Sequence, residues 1–189
     1  MYLRLFLILP LFLLAACAAP KPEATLSPGV TIALPKPGLA EPLHREQLLT
    51  ATTKGTSRNL QTILEADAAH ITLAGLSPVG ARLFKVDYSA TGIAVEQLTI
   101  LPELPPAGQV LADIMLSYWP TAAWQPVLPP GWTLRDDTPA LRTLRNAQGD
   151  PVEEIFYIAR QGKREPVRIR HHIFDYEIHL ADVGSEGVP

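Results

Sequence analysis

Between His70 and Tyr88 the chain alternates apolar and polar residues with a period of two, interrupted once by Ser77-Pro78-Val79-Gly80, and no other feature narrows its fold as far. Phe84, Val86 and Tyr88 fall on one side of an extended segment and Lys85 and Asp87 on the other, while Ile71 and Leu73 match them in the partner run. Successive side chains of a strand point to opposite faces, so this is the pattern of antiparallel strands with one face on a core. Proline and glycine in the intervening segment supply the fixed φ and the positive φ that a tight turn needs. The same reasoning pairs Gln47–Thr53 with Ser57–Asp67 across Lys54-Gly55 and adds a strand over Ile93–Ile100. It gives further strands over Trp132–Arg135, Ala140–Arg145, Glu153–Ala159, Pro166–His171 and Phe174–Leu180, with a slip in phase near His172-Ile173 that marks a bulge or tight turn. Only Gly108–Tyr118 differs: Val110, Leu111, Ile114, Met115 and Tyr118 recur at helical spacing as one apolar stripe, which Pro120 ends. Thr121-Ala122-Ala123-Trp124 reads as a short second helix capped by the threonine.

The first residues obey a different logic. Leu5 to Leu14 is nearly pure hydrocarbon, Arg4 flanks it, and Leu14-Ala15-Ala16-Cys17 follows directly. A basic start, a short apolar core and small residues before a cut describe a secretory signal peptide, too short to cross a bilayer. The four residues ending at Cys17, the only cysteine of the 189 residues, resemble the lipobox of bacterial lipoproteins. That resemblance implies cleavage after residue 16 and thioether attachment of diacylglycerol to Cys17. A thiolate is the better nucleophile for that attack, and several acyl chains hold a protein where one would not. With its thiol so used, the chain has no cysteine for disulfides or a cysteine metal site. Ala18, where aspartate would resemble an inner-membrane retention signal, makes the expected location the outer membrane of a Gram-negative bacterium, lipid-anchored and facing the periplasm. The expected organisation is a signal peptide over 1–16, a lipidated cysteine with a proline-rich tether over 17–45, a β-domain over 46–182 and a tail over 183–189. The tether reading rests on six of the 19 prolines falling between Pro20 and Pro42, although Val30–Leu34 also has the composition of an edge strand. A formal net charge of −3 leaves no basic surplus for nucleic acid.

The inward set predicted from these periods is Ile71, Leu73, Phe84, Val86, Tyr88, Met115, Tyr118, Phe156 and Ile158. These residues form either a filled core or the wall of a hydrocarbon cavity. Trp119, Trp124 and Trp132 stand near proline-marked breaks, where an indole seals a cavity mouth, sits at a lipid interface or packs a helix end. Support for catalysis is thin. The chain lacks a Gly-x-Ser-x-Gly elbow, a phosphate-binding glycine loop and a His-Glu-x-x-His helix, so no catalytic residue is named. His171, His172 and His179 with Asp175 and Glu177 are the one dense group of potential metal ligands, yet neighbours on a strand diverge, and neither metal nor cofactor is expected. Asp136-Asp137 read as a solvated turn before an acid/base pair. Arg164, Arg168 and Arg170 read as outward charges before headgroup ligands.

Strands, a central helix and more strands, with Leu76–Phe84, Val110-Leu111-Ala112-Asp113, Tyr118-Trp119-Pro120 and Gly149–Tyr157 as the matching motifs, resemble LolB, the outer-membrane lipoprotein receptor of the lipoprotein localisation pathway. More closely, they resemble a family of uncharacterised bacterial lipoproteins, domain-of-unknown-function family 3261. The resemblance implies an incomplete antiparallel barrel with a helical cover and an apolar cavity for acyl chains. It implies a hydrophobic cavity lined by the inward set together with Trp119 and Trp124, and a hairpin loop, Pro78-Val79-Gly80, that contacts membrane or partner. Expected partners are outer-membrane lipid through acylated Cys17, an acyl-chain or aryl-polyene lipid as cargo, and a LolA-like periplasmic carrier. The expected function is lipid binding or transfer. The alternatives are a non-catalytic envelope scaffold with a filled core and, behind it, a lipid hydrolase or acyltransferase.

Overall fold

The computed structural model describes residues 22–97 and 107–183. Cys17 and the leader lie outside the described residues, as do residues 98–106 and 184–189. In chain order the strands are β1 (Glu23–Ser27), β2 (Val30–Ala33), β3 (Leu43–Thr53), β4 (Thr56–Ala66), β5 (His70–Leu76), β6 (Arg82–Ser89) and β7 (Gly92–Gln97). Two helices follow, α1 (Ala107–Tyr118) and α2 (Thr121–Trp124), and then β8 (Thr133–Thr138), β9 (Leu141–Arg145), β10 (Pro151–Arg160), β11 (Lys163–His171) and β12 (Tyr176–Asp182).

The last ten strands form one antiparallel sheet in the order β7-β6-β5-β4-β3-β12-β11-β10-β9-β8. Each half is a meander of hairpins, and the two are joined where β12 pairs with β3, Leu180 opposite Leu49. Local chemistry fixes the hairpins. Lys54 (φ 49°) with Gly55 (φ 77°), and Gln161 (φ 50°) with Gly162 (φ 75°), are both left-handed pairs, the turn geometry that matches the right-handed twist of flanking strands. The outermost strands, β7 and β8, do not pair, so the sheet is not closed into a barrel. The helical segment joins these two edges and lies on one face.

The phase slip near His172 is a turn between β11 and β12. The expected threonine cap of α2 is absent: Pro120 occupies the cap position and no side chain bonds there. The larger correction concerns the proline-rich stretch. From Pro22 onward it is folded, and β1 pairs with β2 to bury Ala24, Leu26, Ile32 and Leu34 in the core. The Tyr88 hydroxyl donates to the Pro35 carbonyl at 2.8 Å, and Leu39 N–H donates to the Asp67 carbonyl at 2.9 Å, fastening this segment to the main sheet. Val30–Leu34, whose composition suits an edge strand, supplies β2, while prolines hide its partner β1 and the buried residues between them form the docking surface.

This hairpin changes what surrounds α1. The sequence shows one apolar stripe, yet Leu111 through Ser117 are buried in succession. Strand β1 runs against the helix so closely that a Cβ on Gly108 would fall 2.6 Å from the Glu23 carbonyl oxygen. With the sheet on one side and β1–β2 on another, the polar groups of α1 must find partners inside the protein. Arg142, itself buried, donates at 2.7 Å to each of the Leu116 and Trp119 carbonyls, and the Tyr157 hydroxyl donates to the Ser117 carbonyl at 2.8 Å. A cation at a helix C-terminus also complements the helix dipole. The guanidinium is held from behind by Asp136 at 2.8 Å.

A second correction concerns β10. Phe156 and Ile158 were expected to face inward, but Glu153, Ile155 and Tyr157 do, and Ile158 is 41% exposed. Apolar residues occupy both faces of this strand and the inward one carries a glutamate, so alternation alone selected the wrong side. Beside it, β11 is bulged: Phe156 pairs with Arg168 but Tyr157 with Pro166, leaving Val167 as the extra residue.

One close approach tests the packing of the β5–β6 hairpin. A Cβ on Gly75 would lie 2.3 Å from a ring carbon of Phe84 on the neighbouring strand. Gly75→Ala is expected to cost about 1–3 kcal/mol, as overpacking does, read as a lower urea midpoint, and adding Phe84→Leu is expected to recover much of it. An unchanged midpoint would contradict the contact.

Candidate functional site

Two features of the sheet carry chemistry, one on each face. On the inner face, beneath α1, four ionisable side chains meet in the core. Glu153, His171 and Tyr176 are neighbours across β10, β11 and β12, since Glu153 pairs with His171 and His171 with Tyr176. Asp113 reaches down from α1 to complete the group. The Tyr176 hydroxyl donates to Asp113 Oδ2 at 2.7 Å and Gln109 Nε2 donates to Oδ1 at 2.9 Å. Glu153 is wholly buried and neither of its carboxyl oxygens makes a hydrogen bond. His171 accepts the Phe174 N–H at Nδ1, so its ring proton sits on Nε2, which has no partner either.

Burial decides the charge of this group. It pushes the Asp113 carboxyl up to about 7 although two hydrogen bonds oppose it. Burial and then the nearby Asp113 charge push Glu153 well above the carboxylate range. Burial, with His172 adding to it, pushes His171 down to about 4. Near neutral pH Glu153 and His171 are therefore neutral and Asp113 is close to its midpoint. The sequence signal for this cluster was faint: a single acid inside an apolar run, Leu111-Ala112-Asp113-Ile114, and the first of two adjacent glutamates, Val152-Glu153-Glu154-Ile155.

The outer face carries a groove of about 670 Å³ running across β3, β12, β11 and β10. Leu48, Phe156, Ile158, Val167 and Ala181 supply its apolar wall, with Arg168 and His179 at its polar side. Leu48 and Ile158 alternate with the core residues Leu49 and Tyr157 and so face away from α1. The Arg168 guanidinium lies 3.9 Å above the centre of the Phe156 ring, a cation–π contact that keeps the ring half covered.

Most of the sequence-predicted site lies elsewhere. Ile71, Leu73, Val86, Met115, Trp119 and Trp124 are buried, each 0–1% exposed, and Phe84 and Tyr88 join them, so this predicted wall is part of the core. Tyr118 is half-buried, its hydroxyl within 3.4 Å of Gln47 Oε1. The Trp119 and Trp124 indole N–H groups have no partner. Phe156 and Ile158 are the two members brought to a groove, on the opposite face from the other nine. Pro78, Val79 and Gly80 form an exposed tip at which Val79 is 89% exposed. Cys17 lies outside the described residues.

The histidines do not converge. His172 meets Glu154 at 2.8 Å, His179 meets Glu177 at 2.7 Å on the surface, and His171 turns inward. Asp136-Asp137 is exposed, as expected, but it lies in β8 and not in a turn, and the two carboxylates bind different partners. Burial works against the Asp136 charge, but hydrogen bonds from Arg142 and Arg164 outweigh it and hold the carboxyl below its usual range. Asp137 binds Thr143 and Arg145. Arg164 is not an outward strand charge: it stacks 3.6 Å above the Tyr157 ring.

The profile of a family described as Protein of unknown function (DUF3261) matches residues 44–184, and the chain belongs to that family. No curated protein matches the chain.

Glu153 makes a stability prediction. A carboxyl whose pKa is raised by folding keeps its proton where the unfolded chain has lost it, so its contribution to stability falls as pH rises from the unfolded value of about 4 toward the native one. Glu153→Met, of similar length and without charge, is expected to be more stable than the parent by about 1–3 kcal/mol at pH 8. The gain is expected to shrink toward pH 5, measured by denaturant titration at both. A variant less stable at pH 8 would show that the carboxyl is held by interactions other than those described.

Proposed function

We propose that this member of the DUF3261 family is an outer-membrane lipoprotein, anchored through acylated Cys17 and facing the periplasm, that holds an apolar lipid chain noncovalently in the outer-face groove. The carrying observation is the exposed hydrocarbon of that groove. A sheet whose other face is core is expected to present polar side chains to water, yet Leu48 and Ile158 are each 41% exposed and border Phe156 and Ala181. The volume lies inside the range of small-ligand sites, roughly 300–1,000 Å³.

Magnitude sets the kind of binding. Complete burial of ~12 methylenes contributes on the order of 10 kcal/mol, and a groove open on one side covers only part of a chain. Such a site holds a chain more weakly than a bilayer that immerses it, which suits delivery to a membrane better than storage. The LolB resemblance supports the same direction of transfer, with a LolA-like carrier upstream and Val79 at the exposed hairpin tip as the contact to membrane or partner. A lipoprotein acyl chain and an aryl-polyene lipid both fit an apolar groove. The step is binding, with no catalytic residue and no cofactor.

A specific observation favours a second reading, a tethered scaffold. The inner face, where a LolB-like cavity would lie, is occupied by Leu111, Met115, Leu116, Trp119 and Trp124, all 0–1% exposed.

The test uses protein expressed without residues 1–17. Native mass spectrometry is expected to show co-purifying lipid, and a fluorescent fatty acid is expected to bind. Leu48→Asp with Ile158→Asp, at exposed positions that tolerate polarity, is expected to weaken that binding at least about tenfold, the effect of ~1.4 kcal/mol, while leaving the fold intact. Protein free of lipid that takes up no fatty acid would favour the scaffold.

A further inference from the structure

The buried acids beneath α1 serve neither the groove nor the anchor, and they are costly to keep. Two carboxyls, one on the helix and one on the sheet, are closed into the core, 2% and 0% exposed, and Glu153 has no hydrogen bond to offset its burial. They sit on opposite sides of one packing interface, so any charge they acquire pushes the two surfaces apart and asks for water.

We infer that Asp113 and Glu153 form a proton-operated latch, which keeps α1 seated on the sheet while both are protonated and loosens it when they ionise. Among the described residues no neighbour supplies a compensating cation. On α1 the only other titratable side chain between Ala107 and Tyr118 is Tyr118 itself, five residues past Asp113. From β11 comes His171, neutral with its free N–H on Nε2, and from β12 comes Tyr176, which stays protonated and donates to Asp113. From β9, Leu144 stands beside Glu153, and Arg142 is committed to Asp136 and to the helix carbonyls. Tyr157, two residues along β10, donates to the Ser117 carbonyl. His172, next to His171, pairs with Glu154, and Glu23 of β1 turns its side chain to solvent.

The sign follows from these groups. Closing the latch takes up protons on Asp113 and Glu153, whose values are raised, so closure weakens by about tenfold per pH unit for each group still titrating. His171, held neutral with a lowered value, opposes this only below its unfolded value of about 6.5. Above that pH the acids act alone. Release of α1 uncovers Leu111 and Met115 and, beneath them, the sheet residues Ile155, Ile169 and Ile178, an apolar surface that is core when the latch is shut.

Hydrogen exchange of the full chain, read by mass spectrometry at pH 6.5 and 8 after correction for intrinsic rates, tests this. Protection of α1 is expected to fall at least about tenfold at the higher pH, while β4 and β5 in the other half of the sheet keep theirs. In Glu153→Gln, which cannot ionise, the α1 loss is expected to be much smaller. Asp113→Asn, which leaves Glu153 to titrate, is expected to reduce the loss in part and carries the test if the first variant fails to fold. PH-independent protection of α1, an equal loss in β4 and β5, or an undiminished loss in the variant would each overturn the latch.

Discussion

Nearly every side of α1 is covered, and the rest of the structure answers to that constraint. A helix enclosed by a sheet and a hairpin cannot leave its end carbonyls or side-chain polar groups to water, so the sheet must supply partners. It does so through strands far apart in sequence. Arg142 and Tyr157 take the carbonyls at the C-terminal end, and Tyr176 takes Asp113. Arg142 is buried, and the side chains around it follow from that. Asp136 balances its charge, Arg164 shares that carboxylate at 2.7 Å, and the Tyr157 ring lies 3.6 Å from the Arg164 guanidinium and 5.8 Å from that of Arg142. Asp136 and Arg164, which look like a surface acid and an outward arginine, are thereby components of a helix seat.

Local signals made much of the fold legible. Lys54-Gly55, Ser77-Pro78-Val79-Gly80 and Gln161-Gly162 punctuate the chain where β-hairpins turn, and the stripe from Val110 to Tyr118 marks the one long helix. Two parts were legible only in part, for different reasons. Of the β1–β2 hairpin only the second strand, within Val30–Leu34, shows in the composition; β1 lies among prolines, and the burial of both depends on a docking surface made by residues such as Tyr88 that are distant in sequence. The phase of β10 was hidden by an inward glutamate. A strand read by its apolar residues alone takes Phe156 and Ile158 for core, when the strand is apolar on both faces.

The candidate site suffered most from that ambiguity. Nine of the eleven apolar residues marked as cavity wall do what any domain requires and fill the interior. The two misplaced ones point to the outer groove, a feature that needs the register of four strands and a bulge at Val167 before it can be seen. The buried acids were missed for a simpler reason: a lone Asp in a helix and a Glu near a strand start carry no sign of depth until the hairpin covers the helix.

Exposed hydrocarbon lies on one face of the sheet and shielded acids lie under a helix on the other, so the proposed apolar guest has two surfaces to be tested, of which the outer groove is the one proposed. Photo-crosslinking decides between them most directly. A fatty acid bearing a diazirine near the chain end, activated in the presence of the protein and mapped by peptide mass spectrometry, is expected to label β3 around Leu48 and β10 around Ile158. Labelling confined to α1 and the inner residues Leu111 and Met115 would contradict the account and place the guest beneath the helix.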